Sequence, residues 1–437
     1  MTASGGLGRL VERAGVGGGM LQRAGWSTVV EVLQLVSSVL IFLILANLMS
    51  AEEYGLMSAV IALAIPAAGL SSFGSHILLM KRVAQGMDVP EAWARATSIG
   101  IVGPALGAVV MIALRPAFLP SVGPLVYTLL IVSQMSLFWL CELAVYLGTG
   151  ARRLKESAQI RLIIVVCRLA ALAGFALFTE RTLLDWAWAS FASFGLAAFL
   201  ALVFVWRVFG ATPAVWRIRR RDLTEGFPFS TNAVTESLID VSDRPLLARY
   251  GHEADAGVYS LGARIIQFGY LPLRIVMRAS DADLFEAGKH GTRSALRLTF
   301  RLLRPVAGLG LAVTVGAFLV APILPWLVGD HFADSVSVLR WLAVMPTIRA
   351  VQYLMGNCLG ASDKQPWRLA ATAAAGVVNF GLNLVFLPNG GWRTAVVTTL
   401  VGEVFLTVCL TGLALWFGRP RRDDDKTIDL SELRTIP

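Results

Sequence analysis

Three arginines stand deep inside long apolar runs of this chain: Arg168, Arg264 and Arg349. A guanidinium at membrane depth costs at least a few kcal/mol, so it faces a bundle interior or an aqueous cavity. Its fork of N–H donors also matches phosphate oxygens two at a time, which makes an anionic ligand one reading. Internal ion pairs with Glu31, Glu142, Glu236 or Glu403 are the other reading. Gln267 follows Arg264 by one helical turn. Asn232, Glu236, Asp240 and Asp243 are spaced by 4, 4 and 3 residues, which places them on one helical face. That face lines a cavity in our reading, with Glu236 or Asp240 carrying a coupling ion and Glu31 as a further candidate. Arg161 stands close enough to the cytoplasm to snorkel. Asn379 and Asn383 share a face, as do Glu31 and Gln34, and helix-to-helix hydrogen bonding explains either pair.

These groups need a membrane around them. Of 437 residues, 56% are hydrophobic and 15% are charged, with a mean hydropathy of +0.67. So little charge cannot coat so much apolar surface, which excludes a soluble enzyme, a secreted domain and a disordered regulator. At about 20 apolar residues per span, the chain divides into twelve segments, roughly 25–48, 55–80, 97–114, 121–148, 158–178, 183–206, 226–248, 257–277, 305–328, 336–359, 367–387 and 394–417. The apolar runs lack the two-residue alternation of a membrane barrel. The expected fold is therefore an all-α polytopic membrane protein.

With the N-terminus inside, 27 of the 38 Lys and Arg residues fall on cytoplasmic segments and 4 on outer loops, the rest lying within spans. That bias puts both termini in the cytoplasm and accounts for the net charge of +9 without nucleic acid. The expected layout is a cytoplasmic segment 1–24, a six-helix bundle 25–209, a basic linker 210–225, a second bundle 226–417 and a charged tail 418–437. No metal-ligand spacing joins Cys141, Cys167, Cys358, Cys409 or the four histidines, and we expect neither metal nor cofactor.

The halves begin alike. Gly55-Leu-Met-Ser58 and Gly257-Val-Tyr-Ser260 each open an even-numbered span after an acidic outer turn. Six spans per half implies parallel repeats about an axis along the membrane normal.

Several stretches resemble a known family. Ser50-Ala-Glu-Glu-Tyr-Gly55 is similar to the outer turn of the polysaccharide-transporter branch of the multidrug/oligosaccharidyl-lipid/polysaccharide (MOP) superfamily. Ser72-Phe-Gly-Ser-His76, Asp243-Arg-Pro-Leu-Leu247 with Gly257 to Arg264, and Val378 to Asn383 through Gly391 resemble its later blocks in order and spacing. Gly391-Trp-Arg-Thr-Ala395 departs where the branch prefers Gly-Ala. The resemblance implies a flippase carrying a polyprenyl-pyrophosphate-linked oligosaccharide to the outer leaflet of the cytoplasmic membrane, for O-antigen, capsule or exopolysaccharide synthesis. It implies partners among membrane lipids, H⁺ or Na⁺, and a polymerase and glycosyltransferases. Two rivals remain: a cation-coupled drug antiporter of the same superfamily, and a membrane glycosyltransferase using Glu52 and Glu53 as an acidic pair.

Overall fold

The computed structural model describes residues 33–419 except 35, 271, 272, 274–276, 278 and 279; the side chains at 232, 233, 235, 236, 238, 239, 282 and 330 are also outside the description. The described residues are helical throughout, with turns between and no strand. Among the described residues, eight helical stretches are long and apolar enough to cross a membrane. The chain is thus a multi-pass α-helical membrane protein.

The first unit comprises Met1–Ser260, Pro325–Ala333 and Leu387–Trp392. In it, α1 (Val36–Leu48) is followed by α2 (Ala51–Ser71) and α3 (Ser75–Ala84). Then come α4 (Val89–Ala113), α5 (Pro124–Gly150), α6 (Leu154–Phe178) and α7 (Leu183–Phe209). Next are α8 (Arg220–Val241) and α9 (Asp243–Arg249). The following helix, α10 (Glu253–Gly269), runs from the first unit into the second. The second unit comprises Leu261–Leu324, Asp334–Phe386 and Arg393–Pro437. It holds α11 (Asp281–Lys289), α12 (Thr292–Val320), α13 (Ser335–Leu342), α14 (Met345–Ala361), α15 (Gln365–Phe386) and nearly all of α16 (Gly391–Phe417).

The expected segments outside the eight long stretches have identifiable reasons for falling short. The first is described only from Leu33 onward, the seventh is broken at Ser242, α10 has 17 residues, and the tenth is split between α13 and α14. Segment 55–80, read as continuous, breaks at Ser72–Gly74, where Phe73 and Gly74 both take left-handed φ values of 46° and 60°. The ninth span starts at Thr292, well before the expected 305. Hydropathy starts it late because of Arg293, Arg297, Arg301 and Arg304, yet steps of four, four and three keep those arginines on one exposed stripe of an unbroken helix.

Capping residues explain two helix starts. Ser50 accepts the Glu53 N–H at 3.2 Å to open α2, and Thr182 with Asp185 forms a reciprocal capping box that opens α7. Glu53 does more than close its own turn, because its Oε1 accepts the Leu183 N–H at 2.9 Å and ties α2 to α7. The Glu53 carboxylate is therefore a helix-end acceptor. Glu53→Ala should lower stability by about 1 kcal/mol, the usual worth of a cap. A fall of a few degrees in the detergent melting temperature, with Glu53→Gln closer to wild type, is the expected measurement.

Gly55 and Gly257, read as matching positions of the two halves, meet in the packing. A Cβ on Gly55 would stand 1.9 Å from the Glu253 carbonyl oxygen, and one on Gly257 would stand 2.0 Å from that of Ala51. Each glycine thus presses on the carbonyl four residues before the other. The two helices meet backbone to backbone at these two glycines, and only a residue without Cβ fits there.

Candidate functional site

The polar side chains gather in separate networks within each unit. In the second unit, Arg349 on α14 forms a two-pronged ion pair with Glu403 on α16, Nη2 and Nε donating to Oε1 at 2.6 and 2.9 Å. Gln352, one turn from Arg349, donates to Glu403 Oε2 at 2.7 Å and to Thr407 Oγ1 at 3.1 Å. Glu403 is buried at 5% exposure, so both its oxygens are satisfied inside the unit. At Arg349 the structure therefore realises the ion pair that the sequence left as one of two readings.

Two further networks brace this unit. Asp281, at the start of α11, accepts from Tyr353 Oη and Asn357 Nδ2, each at 2.7 Å, while Asn357 Oδ1 accepts from Arg368 at 3.1 Å. Asn379 Nδ2 donates to the Thr398 carbonyl at 3.2 Å, and Thr398 donates to Asn383 Oδ1. The paired asparagines of α15 thus serve helix-to-helix hydrogen bonding, as their spacing suggested.

In the first unit, Arg82 on α3 donates to Asp222 at 2.5 Å and to Glu225 at 3.3 Å, both on α8. Arg82 and Asp222 are buried, at 9% and 1% exposure. Glu225 also accepts from Arg221 at 2.6 Å, and the guanidinium groups of Arg221 and Arg82 hold its carboxyl below the usual carboxylate range. Beside this pair, α8 approaches the α2–α3 break: a Cβ on Gly226 would be 1.9 Å from the Phe73 carbonyl oxygen. Sequence reading missed Arg82 and Asp222 because Arg82 follows Lys81 and Asp222 sits among arginines, so both looked like ordinary cytoplasmic charge. The segment before α8 is also held, since Thr97 and Ser98 of α4 bond the Ala214 N–H, the Ala214 carbonyl and the Arg217 N–H at 3.1, 2.9 and 3.1 Å.

The remaining candidates divide as follows. Arg168 lies half-buried in the first unit, its guanidinium carbon 5.3 Å from the Phe194 ring centre in a cation–π contact. Asn232 and Glu236 lie on α8, their side chains outside the described set; Asp240 is exposed on its last turn. Asp243 stands past the break at Ser242, so it leaves their helical register; it is buried and accepts the Tyr259 hydroxyl at 2.6 Å. Glu31 is outside the described residues. Arg264 and Gln267 share one face of α10 in the second unit, half-buried and exposed respectively. Arg161 does not snorkel freely: it is half-buried and donates to Gln34 Oε1 at 2.9 Å. All four cysteines are free thiols, and among the described residues no cluster of three or more His, Cys, Asp or Glu side chains could hold a metal ion.

With this geometry in place, sequence comparison decides the family. Residues 20–274, more than half of the chain, match the family described as polysaccharide biosynthesis protein. The chain belongs to that family. No curated protein matches it in sequence. Solved structures share its fold at low identity. An inward-facing multidrug resistance MATE family transporter of the MOP superfamily aligns with TM-score 0.66 and 14% identity, over 88% of this chain and 94% of that one. The lipid II flippase MurJ, in an inward closed conformation, aligns with TM-score 0.66 and 11% identity over 89% and 87%. A MOP superfamily transporter from Pyrococcus furiosus, described by the reverse polarity of its binding pocket, aligns with TM-score 0.57 and 13% identity over 90% and 94%. This family member thus has the MOP fold across nearly its whole length.

Proposed function

We propose that this polysaccharide biosynthesis family member is a flippase that moves a polyprenyl-pyrophosphate-linked oligosaccharide from the inner to the outer leaflet of the cytoplasmic membrane. The observation that carries the reading is the family match over residues 20–274 on a fold shared with a lipid II flippase. Both termini lie in the cytoplasm, following the distribution of Lys and Arg. Residues 25–209 and 226–417 act as the two bundles, and a central cavity lined mainly by spans one, two, seven and eight opens to each side in turn. Arg264, with Arg168 or Arg349, meets the pyrophosphate there, and Gln267 and Asn232 contribute hydrogen bonds.

The membrane potential supplies driving force. A pyrophosphate diester carries about two negative charges, and moving them out of a negative interior gains about 4–5 kcal/mol per 100 mV. Return of a proton or sodium ion on Glu236 or Asp240, with Glu31 as an alternative, adds to this when the carboxylate's affinity differs between inward- and outward-open states. The product serves O-antigen, capsule or exopolysaccharide assembly, handed to a polymerase after glycosyltransferases have built it.

The test is leaflet transfer of a labelled lipid-linked oligosaccharide in proteoliposomes. An imposed inside-negative potential should accelerate transfer outward. Arg264→Ala should reduce it to background with normal protein abundance, while Arg264→Lys retains part of the rate because a point charge loses the two-pronged contact. Transfer indifferent to potential and to Arg264, alongside proton-driven export of organic cations, would favour the antiporter.

A further inference from the structure

Between the cytoplasmic halves of α5 and α6 lies a polar cavity of about 220 Å³ that none of the roles above uses. Arg161, Tyr146, Thr149 and Ser157 line it together with Leu154 and Ala158. Leu154, Ser157, Ala158 and Arg161 follow steps of three, one and three along α6, so one helical face forms one wall. Tyr146 and Thr149 come from the facing helix α5.

The chemistry of the lining suits an anion with several oxygens. A guanidinium carries five N–H donors, and Gln34 takes a bond from one of them. Tyr146 adds a phenolic hydroxyl, while the Thr149 and Ser157 hydroxyls, 3.3 Å apart, each donate to the Val145 carbonyl and add polar lining only. The volume exceeds that of several waters at about 30 Å³ each, which is room for a phosphate group with part of its hydration. Arg161 lies seven residues, about 10 Å, along α6 from Leu154. The exposed Arg152, Arg153 and Lys155 stand at that same helix start and raise the positive potential over it.

We infer that this cavity is a binding site for the phosphate of a lipid headgroup in the inner leaflet, with Arg161 as the principal contact and Tyr146 as a second donor. Its lining includes none of Arg168, Arg264 and Arg349, to which the transport reading assigns the pyrophosphate. The inference deepens that reading and rests on it for the inner-leaflet placement. The shared chemistry is a phosphate ester anion; a polyprenyl pyrophosphate awaiting transport and a bulk anionic phospholipid are its two sources.

The experiment is lipid binding to the purified full-length protein, titrated separately with polyprenyl pyrophosphate, phosphatidylglycerol and zwitterionic phosphatidylcholine, and read by native mass spectrometry. Arg161→Ala should weaken binding of the anionic probes about tenfold or more, as loss of a charge-assisted contact implies. Tyr146→Phe should weaken it by a smaller factor. Arg340→Ala, an exposed arginine in the other unit, serves as the control and should leave binding unchanged. Selection of the pyrophosphate over phosphatidylglycerol would identify the transported lipid as occupant, and equal binding of the two would identify bulk lipid. If Arg161→Ala does not fold, Arg161→Lys and Tyr146→Phe each still weaken anionic-lipid binding when the site exists. Unchanged binding of anionic lipids in Arg161→Ala, or in both Arg161→Lys and Tyr146→Phe, or equal affinity for phosphatidylcholine, overturns the inference. Because the readout is equilibrium binding, loss of leaflet transfer with intact Arg161-dependent binding would count against the flippase reading alone.

Discussion

Gly257→Ala should destabilise the protein by about 1–3 kcal/mol, the range for overpacking a close contact. A new Cβ at this position would fall 2.0 Å from the Ala51 carbonyl oxygen and 2.9 Å from its carbon. The obstacle is backbone, so no side-chain rotation can relieve it; the helices must separate. Gly55→Ala strikes the same contact from the other side, 1.9 Å from the Glu253 carbonyl oxygen. Each single variant should lower the melting temperature by several degrees. The double variant should cost clearly less than the two together, because once the helices have parted the second methyl finds the space already open. Additive losses would mean that the two glycines act independently and that the reciprocal contact is not shared. Export should fall in both single variants, since spans two and eight are among those assigned to the transport cavity.

The second large effect separates two jobs for Arg349. Arg349→Ala strips Glu403 of its charge partner in a buried position, which costs about 3–5 kcal/mol where a buried pair is broken from one side. The expected result is strongly reduced abundance and stability. Replacing both members, with Arg349→Met and Glu403→Met together, removes the stranded charge and should restore much of the stability, since apolar replacement of buried pairs is often neutral. Export in that double variant then decides the role. Restored abundance with lost transport means that Arg349 also meets the substrate or exchanges its partner during the cycle. Restored transport means that the pair only holds α14 against α16, leaving Arg264 and Arg168 to carry the anion.

The amino-acid sequence by itself determined the membrane class, the helical character and most span positions, because these follow from local quantities. Run length, hydropathy and the position of charges along the chain need no knowledge of distant residues. The Gly55 and Gly257 repeat was legible for the same reason: two short strings at equivalent offsets can be compared without a fold. Even the asparagine pair on α15 declared its shared face through simple helical spacing. Helix ends were less legible where a basic stripe hid the first turns of α12 and where two left-handed residues broke segment 55–80.

Only the tertiary structure decided which charges meet. Arg82 and Asp222 are 140 residues apart, and Arg349 and Glu403 are 54 apart. Glu403 was one of four possible carboxylate partners, whereas Asp222 was concealed among cytoplasmic arginines. Arg161 shows the same limit from another side: its depth suggested snorkelling, but Gln34 and the cavity between α5 and α6 set its environment. A charge in a membrane must be compensated, and sequence states that requirement clearly. Which group compensates it depends on helices brought together across long loops of chain, and that information exists only once they have packed.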